Sequence, residues 1–380
     1  MLTAQGHEVH VLSCCNEQEE RDFVDRKVFV HLRRVIQIPV IRQLSGVLKL
    51  STLLELITGG LSNYIEYRRL HVDFDVIEYP DLDAVGWLFA FLRKKPLVAH
   101  LHLPTIMSSL CHSGDEVAAT SRNPQWSSLF ERFSVRHADA VTCPSKLTVQ
   151  KLKDVGWLGK IEPVIVPQCL NWSDWQSTAP VENTPPTVLY LGWLGMNKAP
   201  ELLVEAISIV REKIPDAKAI FVGESLEYRN GLPYIEWLKK SQPDLSGCEF
   251  AHYIPHDQVI DFISSSRLLA MPSWFENYPM AALEAMAGGR PVVTTSTTGI
   301  AELIKNADAG QLFSSGDPNG LADVLLPFLL DAGHAAKIGR NARKAVCEVH
   351  DPDRSLAQRE MVYQQAIGNF EKRRYITAHK

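Results

Sequence analysis

The sequence predicts an α/β protein composed of two doubly wound domains. Three observations support this fold class. Short apolar runs alternate with amphipathic stretches of helical length, each half of the chain repeats that alternation, and a polar segment with several prolines separates the halves. Apolar runs separated by helices are typical of a parallel sheet covered on both faces. Such sheets bind ligands at the carboxyl ends of their strands, and two domains can close on a ligand from both sides.

The predicted strands recur along both halves of the chain. In order they are HEVHVLS, FDVIEYP, PLVAHLH, ADAVTCP and EPVIVP, then TVLYLG, AKAIFVG, CEFAHYI, RLLAMPS, RPVVTT and GQLFS. Between them apolar residues recur at helical spacing, most clearly from Leu202 to Val210. Residues 173–186 contain three prolines and little periodicity, which is typical of a linker. We therefore expect domains at 1–172 and 187–355, followed by a helix at 356–375 that packs back on the first domain.

The composition excludes several classes of protein. The chain has 380 residues, 46% hydrophobic and 22% charged, with a net charge of −5, so it has no general attraction to nucleic acid. No apolar run reaches the roughly 18 residues that span a bilayer. The seven cysteines are scattered and form no C-x-x-C pair, which indicates reduced thiols. We expect a cytoplasmic protein.

The first candidate binding segment is GWLGMNKAPELLVEA, residues 192–206. A predicted strand ends at Gly192, and a helix is expected to start near Pro200. Lys198 lies in the loop between them. Backbone N–H groups near the start of a helix attract phosphate, and a lysine adds a full positive charge. The alternative is an ordinary strand–helix turn with a solvated lysine, and the segment alone does not decide between the two.

The second candidate is ENYPMAALEAMAGGRPVV, residues 276–293, which places Glu276 before a predicted helix and Glu284 inside it. The N–H groups of Met280 and Ala281 are expected to be free to meet an anion. Carboxylates repel phosphate but accept hydrogen bonds strongly from hydroxyl groups. Phosphate and polyol in one cleft describe a nucleotide sugar. The alternative is that Glu276 caps the helix and Glu284 lies on the surface.

The spacing E-x7-E followed by LEAMAGGRPVV resembles the retaining glycosyltransferases of the GT-B fold, specifically glycosyltransferase family 4. Other segments resemble the family in the same order: LTAQGHEVHVLS, ADAVTCPSKLTVQKL, VPQCLN, LYLGWLGMNKAPELLVEA, AIFVGES, TTGIAELI and GQLFSSGDPNGLADVL. The resemblance covers nearly the whole chain and is strongest in 187–330. It implies two Rossmann-like domains that face a cleft, with acceptor binding in the first domain and nucleotide-sugar binding in the second.

The resemblance also implies roles for individual residues. Glu276 would bind the donor sugar, Glu284 the ribose hydroxyls and Lys198 the diphosphate. His102, at the end of PLVAHLH, would lie near the sugar and complete a catalytic set of Glu276, Lys198 and His102. The donor site implied by the resemblance consists of Gly192, Trp193, Lys198, Gly223, Glu276, Asn277, Tyr278, Met280, Ala281 and Glu284.

Three positions depart from the family pattern. Trp193 stands where the family usually has arginine, so a charge-assisted contact of roughly 1.5–3 kcal/mol would be lost unless another cation compensates. Asn277 and Ala199 stand where glycine is usual, and both changes are mild. His100 and His102 lie on the same side of their strand, so at least one is expected to be structural. For His102, the alternative to a role near the sugar is that of a packed structural histidine.

Two further patterns suggest contacts outside the donor site. Three D-x-D strings occur, starting at Asp73, Asp81 and Asp351, but their number shows how common the pattern is, and we assign no metal. Residues 32–70 interleave basic and apolar residues, which would suit a membrane surface and a lipid-linked acceptor. A core-facing helix with a basic solvent side is the favoured alternative. The basic residues of this segment are Arg33, Arg34, Arg42, Lys49, Arg68 and Arg69.

The sequence therefore predicts a metal-independent hexosyltransferase that moves a sugar from a nucleotide diphosphate donor to a hydroxyl acceptor, with retention of configuration. The donor is a substrate, and no cofactor is expected. The acceptor would be a sugar or lipid-linked sugar in cell-surface polysaccharide or glycolipid synthesis, and the protein cytoplasmic or at the membrane periphery. The alternatives are an inactive or weakly active nucleotide-sugar-binding remnant or subunit, and an epimerase or phosphorylase of the same fold. A dehydrogenase is disfavoured because no G-x-G-x-x-G follows a strand.

The start of the chain carries one more expectation. The resemblance begins at LTAQG, and the strand, glycine-rich turn and most of the helix that precede it in the family have no counterpart. In a doubly wound sheet the first strand is usually central, so its loss would leave two neighbouring strands without ladder partners. We expect an N-terminally shortened form whose first domain is poorly stable and whose transfer activity is weak or absent.

Overall fold

The computed structural model describes residues 1–14, 19–36, 51–107, 124–225 and 227–379. These residues form two compact units. Unit 1 comprises Met1–Val166 with Asp353–Lys380, and unit 2 comprises Pro167–Pro352. The divisions fall near the expected domain limits, a few residues before 172 and before 355.

The described residues of unit 1 form seven strands in two sheets. One sheet has the order β1–β3–β2 and the other has the order β4–β5–β6–β7, in which all pairs are parallel. Among the described residues, β1 pairs only with β3, and β4 pairs only with β5. The strands are β1 Val9–Cys14, β2 Arg21–Asp25, β3 Val28–Arg33, β4 Ile77–Pro80, β5 Leu97–His100, β6 Ala140–Cys143 and β7 Val164–Ile165. The helices are α1 Ser51–Arg69, α2 Trp87–Leu92, α3 Pro124–Arg136 and α4 Lys146–Asp154.

The hairpin of β2 and β3 is absent from the sequence-based prediction. Its two strands pair antiparallel, and its turn is made by Arg26 and Lys27, both with positive φ (45° and 68°). Hairpin turns of this kind normally use asparagine or glycine at these positions. Because neither residue is present here, the sequence contains no recognisable turn.

Unit 2 contains a six-stranded parallel sheet with the order β12–β9–β8–β13–β14–β15, and a small hairpin of β10 and β11. All six strands of the large sheet coincide with predicted strands. The strands are β8 Thr187–Leu191, β9 Lys218–Val222, β10 Tyr228–Arg229, β11 Leu232–Pro233, β12 Cys248–Ala251, β13 Leu268–Met271, β14 Val292–Thr295 and β15 Gly310–Phe313. The helices are α5 Pro200–Arg211, α6 Tyr234–Ser241, α7 Val259–Ser265, α8 Met280–Ala287, α9 Ala301–Asn306, α10 Pro318–Leu330 and α11 Ala332–Val349.

Two apolar cores cover the faces of this sheet. Alternate residues of a buried strand point to opposite faces, so Val188 and Tyr190 of β8 lie in one core while Leu189 lies in the other. Helices α5 and α10 each supply six buried residues of the first core, and α8 supplies five of the second. The doubly wound arrangement expected for this half of the chain is therefore present.

The segment 173–186, expected to be a linker, is packed within unit 2. Trp175 and Val181 are buried in its two cores, and the Thr178 hydroxyl donates to the Gly288 carbonyl at 2.8 Å. Prolines and polar residues indicated an irregular backbone, which this segment has, but the two buried apolar side chains fix it to the unit.

The last helix, α12 (Pro352–Ala378), is longer than the expected 356–375 and lies almost entirely in unit 1. Arg359 donates to Glu78 of β4 at 2.5 Å, and the Tyr363 hydroxyl donates to the same carboxylate at 2.6 Å. Over the described residues, no helix combines the length and the apolar character needed to cross a membrane.

Candidate functional site

The loop after β8 approaches β9 so closely that glycine is required. A Cβ atom at Gly223, where φ is 149°, would collide with the Gly192 carbonyl oxygen. The Gly192 N–H in turn donates to the Val222 carbonyl at 3.0 Å. Gly192 itself has φ of 144° and open space around its Cβ position. The two glycines therefore bring the carboxyl ends of β8 and β9 together and leave open space beside Gly192.

Lys198 is held at the neighbouring strand end. The Trp274 N–H donates to the Asn197 carbonyl at 2.9 Å, and the Asn197 side chain donates to the Phe275 carbonyl at 3.1 Å. These bonds fix the loop after β8 to the loop after β13. Lys198 Nζ forms an ion pair with Glu276 Oε1. The two residues that the sequence singled out from separate motifs are thus in direct contact.

Glu276 is also bound to the loop after β14. Its carbonyl accepts the Gly299 N–H at 2.8 Å, and it forms an isolated parallel bridge with Thr298. Helix α8 has no side-chain cap, so the alternative in which Glu276 caps that helix does not hold. Because β9, β8, β13 and β14 are neighbours in the sheet, their four loops converge on one edge, where parallel α/β sheets bind ligands.

Glu284 lies one turn inside α8 and is 8% exposed, so the alternative of a surface residue does not hold either. Burial raises the pKa of its carboxyl group, and His256, whose Nε2 lies 3.9 Å from Oε1, counters that effect. The small residues Ala282 and Ala285 beside it are fully buried. A buried carboxylate with few partners is well suited to accept hydroxyl hydrogen bonds from a ligand.

The remaining predicted donor residues differ in their surroundings. The Tyr278 hydroxyl oxygen lies 3.1 Å from His350 Nε2, so this residue also joins two parts of unit 2. Burial raises the pKa of the Tyr278 hydroxyl group. Asn277 is buried, whereas Met280 and Ala281 at the start of α8 are partly exposed. Trp193 is 41% exposed, and its carbonyl accepts the Tyr190 hydroxyl at 2.7 Å.

Glu227 belongs to this site and was missed by sequence analysis. The Met196 N–H donates to Glu227 Oε2 at 2.9 Å, and a Cβ atom at Gly195 would collide with the same carboxylate. The backbone of Glu227 is fixed as well, because its carbonyl accepts the Tyr234 N–H at 2.9 Å. Its position depends on the short hairpin of β10 and β11, whose turn is Asn230-Gly231 with φ of 51° and 77°. This Asn-Gly pair is the sequence signal that could have identified the hairpin.

Arg290 in the GGRPVV segment has a structural role. It is 2% exposed and donates to the carbonyls of Ser266, Gly288 and Ser264 at 3.0, 2.6 and 2.7 Å. Burial is the main reason why its pKa is lowered to about 10. The arginine therefore satisfies backbone carbonyl groups at the carboxyl ends of α7 and α8.

His102, the third predicted catalytic residue, belongs to unit 1 and follows β5. Its side chain is exposed, and its backbone N–H donates to the buried carboxylate of Asp81 at 2.7 Å. His100 is the packed histidine of the pair: it lies 2.8 Å from the Thr142 hydroxyl, and burial lowers its pKa to about 4.

Two buried carboxylates hold the loop that carries His102. Asp81 Oδ1 accepts the N–H groups of His102 and Leu103, while Oδ2 is buried with no partner among the described residues. Glu131 accepts the Thr105 N–H at 2.9 Å and its hydroxyl at 2.6 Å. Burial raises the pKa of each carboxyl group to about 7.

The three D-x-D strings and part of the 32–70 segment lie within the described residues. The described residues contain no group of three or more histidine, cysteine, aspartate or glutamate side chains that could hold a metal. In the 32–70 segment, Arg42 and Lys49 lie outside the described residues. Helix α1 buries one face, which includes Leu56 and Glu66, and Glu66 pairs with Arg33 and Arg69.

Two family models match the chain. The description "Glycosyl transferases group 1" applies to residues 174–345, and "Glycosyl transferase 4-like domain" applies to residues 1–167. D-inositol 3-phosphate glycosyltransferase of Streptomyces avermitilis is 30% identical over 168 residues, which is 42% of this chain and 36% of that enzyme. The chain thus spans about a third of the length of this relative.

Solved structures share the fold. Sucrose-phosphate synthase from Thermosynechococcus elongatus superposes with a TM-score of 0.78 at 21% identity, over 97% of this chain and 91% of that one. Anabaena Alr3699/HepE in complex with UDP and glucose superposes with a TM-score of 0.67 at 18% identity, over 88% of this chain and 85% of that one.

Proposed function

Because the chain belongs to the GT-B glycosyltransferases, we propose that it transfers a sugar from a nucleotide diphosphate donor to a hydroxyl acceptor with retention of configuration. The observation that carries this proposal is the contact between Lys198 and Glu276 at the edge of the unit 2 sheet, with Glu284 buried on α8. A cation for diphosphate and two carboxylates for hydroxyl groups match the two halves of a nucleotide sugar.

The ion pair gives the site a defined state before donor arrives. Lys198 and Glu276 neutralise one another, so neither charge is left partly buried without a partner. When a diphosphate takes Lys198 as its counter-charge, Glu276 is released to accept hydrogen bonds from the sugar. Glu284 accepts from the ribose hydroxyls, and the open space beside Gly192 gives the phosphate groups room to approach.

In the proposed reaction the bond from the anomeric carbon to the diphosphate oxygen breaks, and a bond to the acceptor oxygen forms on the same face. The acceptor proton passes to the leaving phosphate. Lys198 stabilises the negative charge that grows on the diphosphate, and the remaining contribution of the chain is positioning. No nucleophilic side chain takes part.

The experiment that tests this function measures sugar transfer by the purified full chain. A thermal-shift screen against nucleotide sugars comes first, because a ligand that binds only the folded state raises apparent stability. The nucleotide sugar with the largest shift is then supplied with and without hydroxyl acceptors. We expect acceptor-dependent release of nucleoside diphosphate and a product with the donor's anomeric configuration. An inverted product or a phosphate requirement would contradict the proposal.

One observation favours a second candidate, a nucleotide-sugar-binding subunit without transfer activity. Trp193 occupies a position where the family usually has a cation, and its side chain is 41% exposed rather than packed in the core. Donor binding in the thermal-shift screen without turnover would support this candidate. Replacing Trp193 with arginine should then restore hydrolysis or transfer if the missing charge is the cause.

A further inference from the structure

A basic pocket lies in unit 1, at the end of the sheet opposite His102. Its described lining includes Arg93 and, from α12, Lys372 and Arg373. Arg93 precedes β5, and Asp139, which also lines the pocket, precedes β6. Since these strands are parallel, the pocket is at their amino ends, whereas His102 follows the carboxyl end of β5. The pocket is therefore separate from the proposed catalytic residues of this unit.

Charge in the pocket is unbalanced. Asp139 is the single acidic residue among the described residues that line it, beside three cations. That carboxylate is already engaged, because it accepts the Leu97 N–H at 3.0 Å and forms an ion pair with Arg373. Asp139 also attracts Arg93, so this one carboxylate faces three cations in the described pocket lining.

Arg93 is held in an unusual state. Its Nε is buried and has no hydrogen-bond partner among the described residues. The residue ends α2 in the left-handed conformation, with φ of 51°, which is strained for a side chain other than glycine or asparagine. Burial lowers the pKa of Arg93, and the neighbouring Arg373 lowers it further. Two guanidinium groups that repel one another, together with a buried N–H donor that has no protein partner among the described residues, are complementary to an anion.

We propose that this pocket binds a phosphate-type oxyanion between Arg93 and Lys372. Guanidinium groups bind phosphate oxygens through directed N–H donors, and the ammonium group adds a point charge. The described lining has a formal excess of two positive charges, three cations against one carboxylate, which a phosphate dianion would neutralise. Asn369, whose amide donates to the Asp139 carbonyl at 2.8 Å, helps fix α12 against the sheet. Ligand binding would strengthen that junction and stabilise unit 1.

The test compares thermal unfolding of the full chain in sodium phosphate and in sodium chloride at equal ionic strength and pH 7. The variants are Arg93→Gln and Lys372→Gln, and the matched control is Lys94→Gln, which removes an adjacent exposed charge outside the pocket lining. Phosphate stabilises most proteins by exclusion from their surface, and that general effect should be equal in all four proteins. We expect wild type and Lys94→Gln to gain a further roughly 2–4 °C in phosphate that both pocket variants lose.

A second arm distinguishes free phosphate from a phospholipid headgroup. The same proteins are sedimented with vesicles of phosphatidylcholine alone and with added phosphatidylglycerol. A phosphate-specific gain in solution indicates a soluble ligand. Binding to the anionic vesicles that depends on Arg93 and Lys372, without a gain in free phosphate, indicates a headgroup. Equal behaviour of Lys94→Gln and both pocket variants in both arms would overturn the proposal. If Arg93→Gln folds poorly, Lys372→Gln still tests the proposal, because Lys372 lies at an exposed position.

Discussion

Asp81→Asn should remove a pH-dependent loss of stability from unit 1. Burial raises the pKa of Asp81 from 3.8 to about 7, and Oδ2 has no partner among the described residues. A carboxyl group with a higher pKa in the folded state binds its proton more tightly there. Its contribution to stability is therefore fully present below about pH 4 and is lost as the pH rises through 7. The difference between the two pKa values corresponds to about 4 kcal/mol at most.

Asparagine imitates the protonated acid. Its side-chain oxygen can accept the His102 and Leu103 N–H groups, and its amide nitrogen takes the place of the protonated oxygen. The variant should be more stable than wild type by about 1 kcal/mol near pH 4.5 and by about 2–4 kcal/mol at pH 8. Urea denaturation at several pH values measures the difference. Asp75→Asn, at an exposed carboxylate, is the control. A difference between Asp81→Asn and wild type that stays constant from pH 4.5 to pH 8 would refute the reasoning.

Three further predictions concern unit 2. Glu227→Gln should bind nucleoside diphosphate roughly threefold to tenfold more tightly, because it removes a carboxylate that competes for the Met196 N–H. Calorimetric titration measures the affinity, with Glu236→Gln at an exposed position as the control. Weaker binding by Glu227→Gln would contradict the prediction. Gly223→Ala should lower the melting temperature and abolish donor binding, since its Cβ would collide with the Gly192 carbonyl; a variant that melts and binds like wild type would rule out the close approach. Sugar transfer should survive chelation, because Lys198 serves as the counter-charge; activity lost with chelator and recovered with manganese would revive a D-x-D metal site.

Much of the fold follows from hydrophobic patterning, because the strands of the parallel sheets are continuous apolar runs between amphipathic helices. The features that escaped prediction depend on contacts distant in sequence. The hairpin at Arg26 and Lys27 has turn residues without a recognisable preference for positive φ. The segment 173–186 has the composition of a linker, yet Trp175 and Val181 fix it to unit 2.

The candidate site, like the fold, was predictable from the sequence only in part. Lys198 and Glu276 could be named from their motifs, but their ion pair could not, because it depends on neighbouring strands that are far apart in the chain. Glu284 could be placed on a helix, whereas its burial depends on the packing of α8. Glu227 belonged to no motif, and Asp81 belonged only to a D-x-D string to which no role was assigned. Each carboxylate accepts a backbone N–H whose position only the folded chain defines.

The measurement that tests the central claim most directly is calorimetric titration of nucleoside diphosphates into wild type and three variants. Lys198→Ala and Glu284→Ala should each weaken binding roughly 10- to 100-fold, the first through the diphosphate and the second through the ribose. Glu276→Ala should retain nucleotide affinity and lose sugar transfer. Lys218→Ala is the control. Lys218 is also ion-paired, with Glu249, but it lies at the amino end of β9, so this variant should bind nucleotide like wild type. Equal nucleotide affinity in Lys198→Ala, Glu284→Ala and wild type would contradict the assignment of this site.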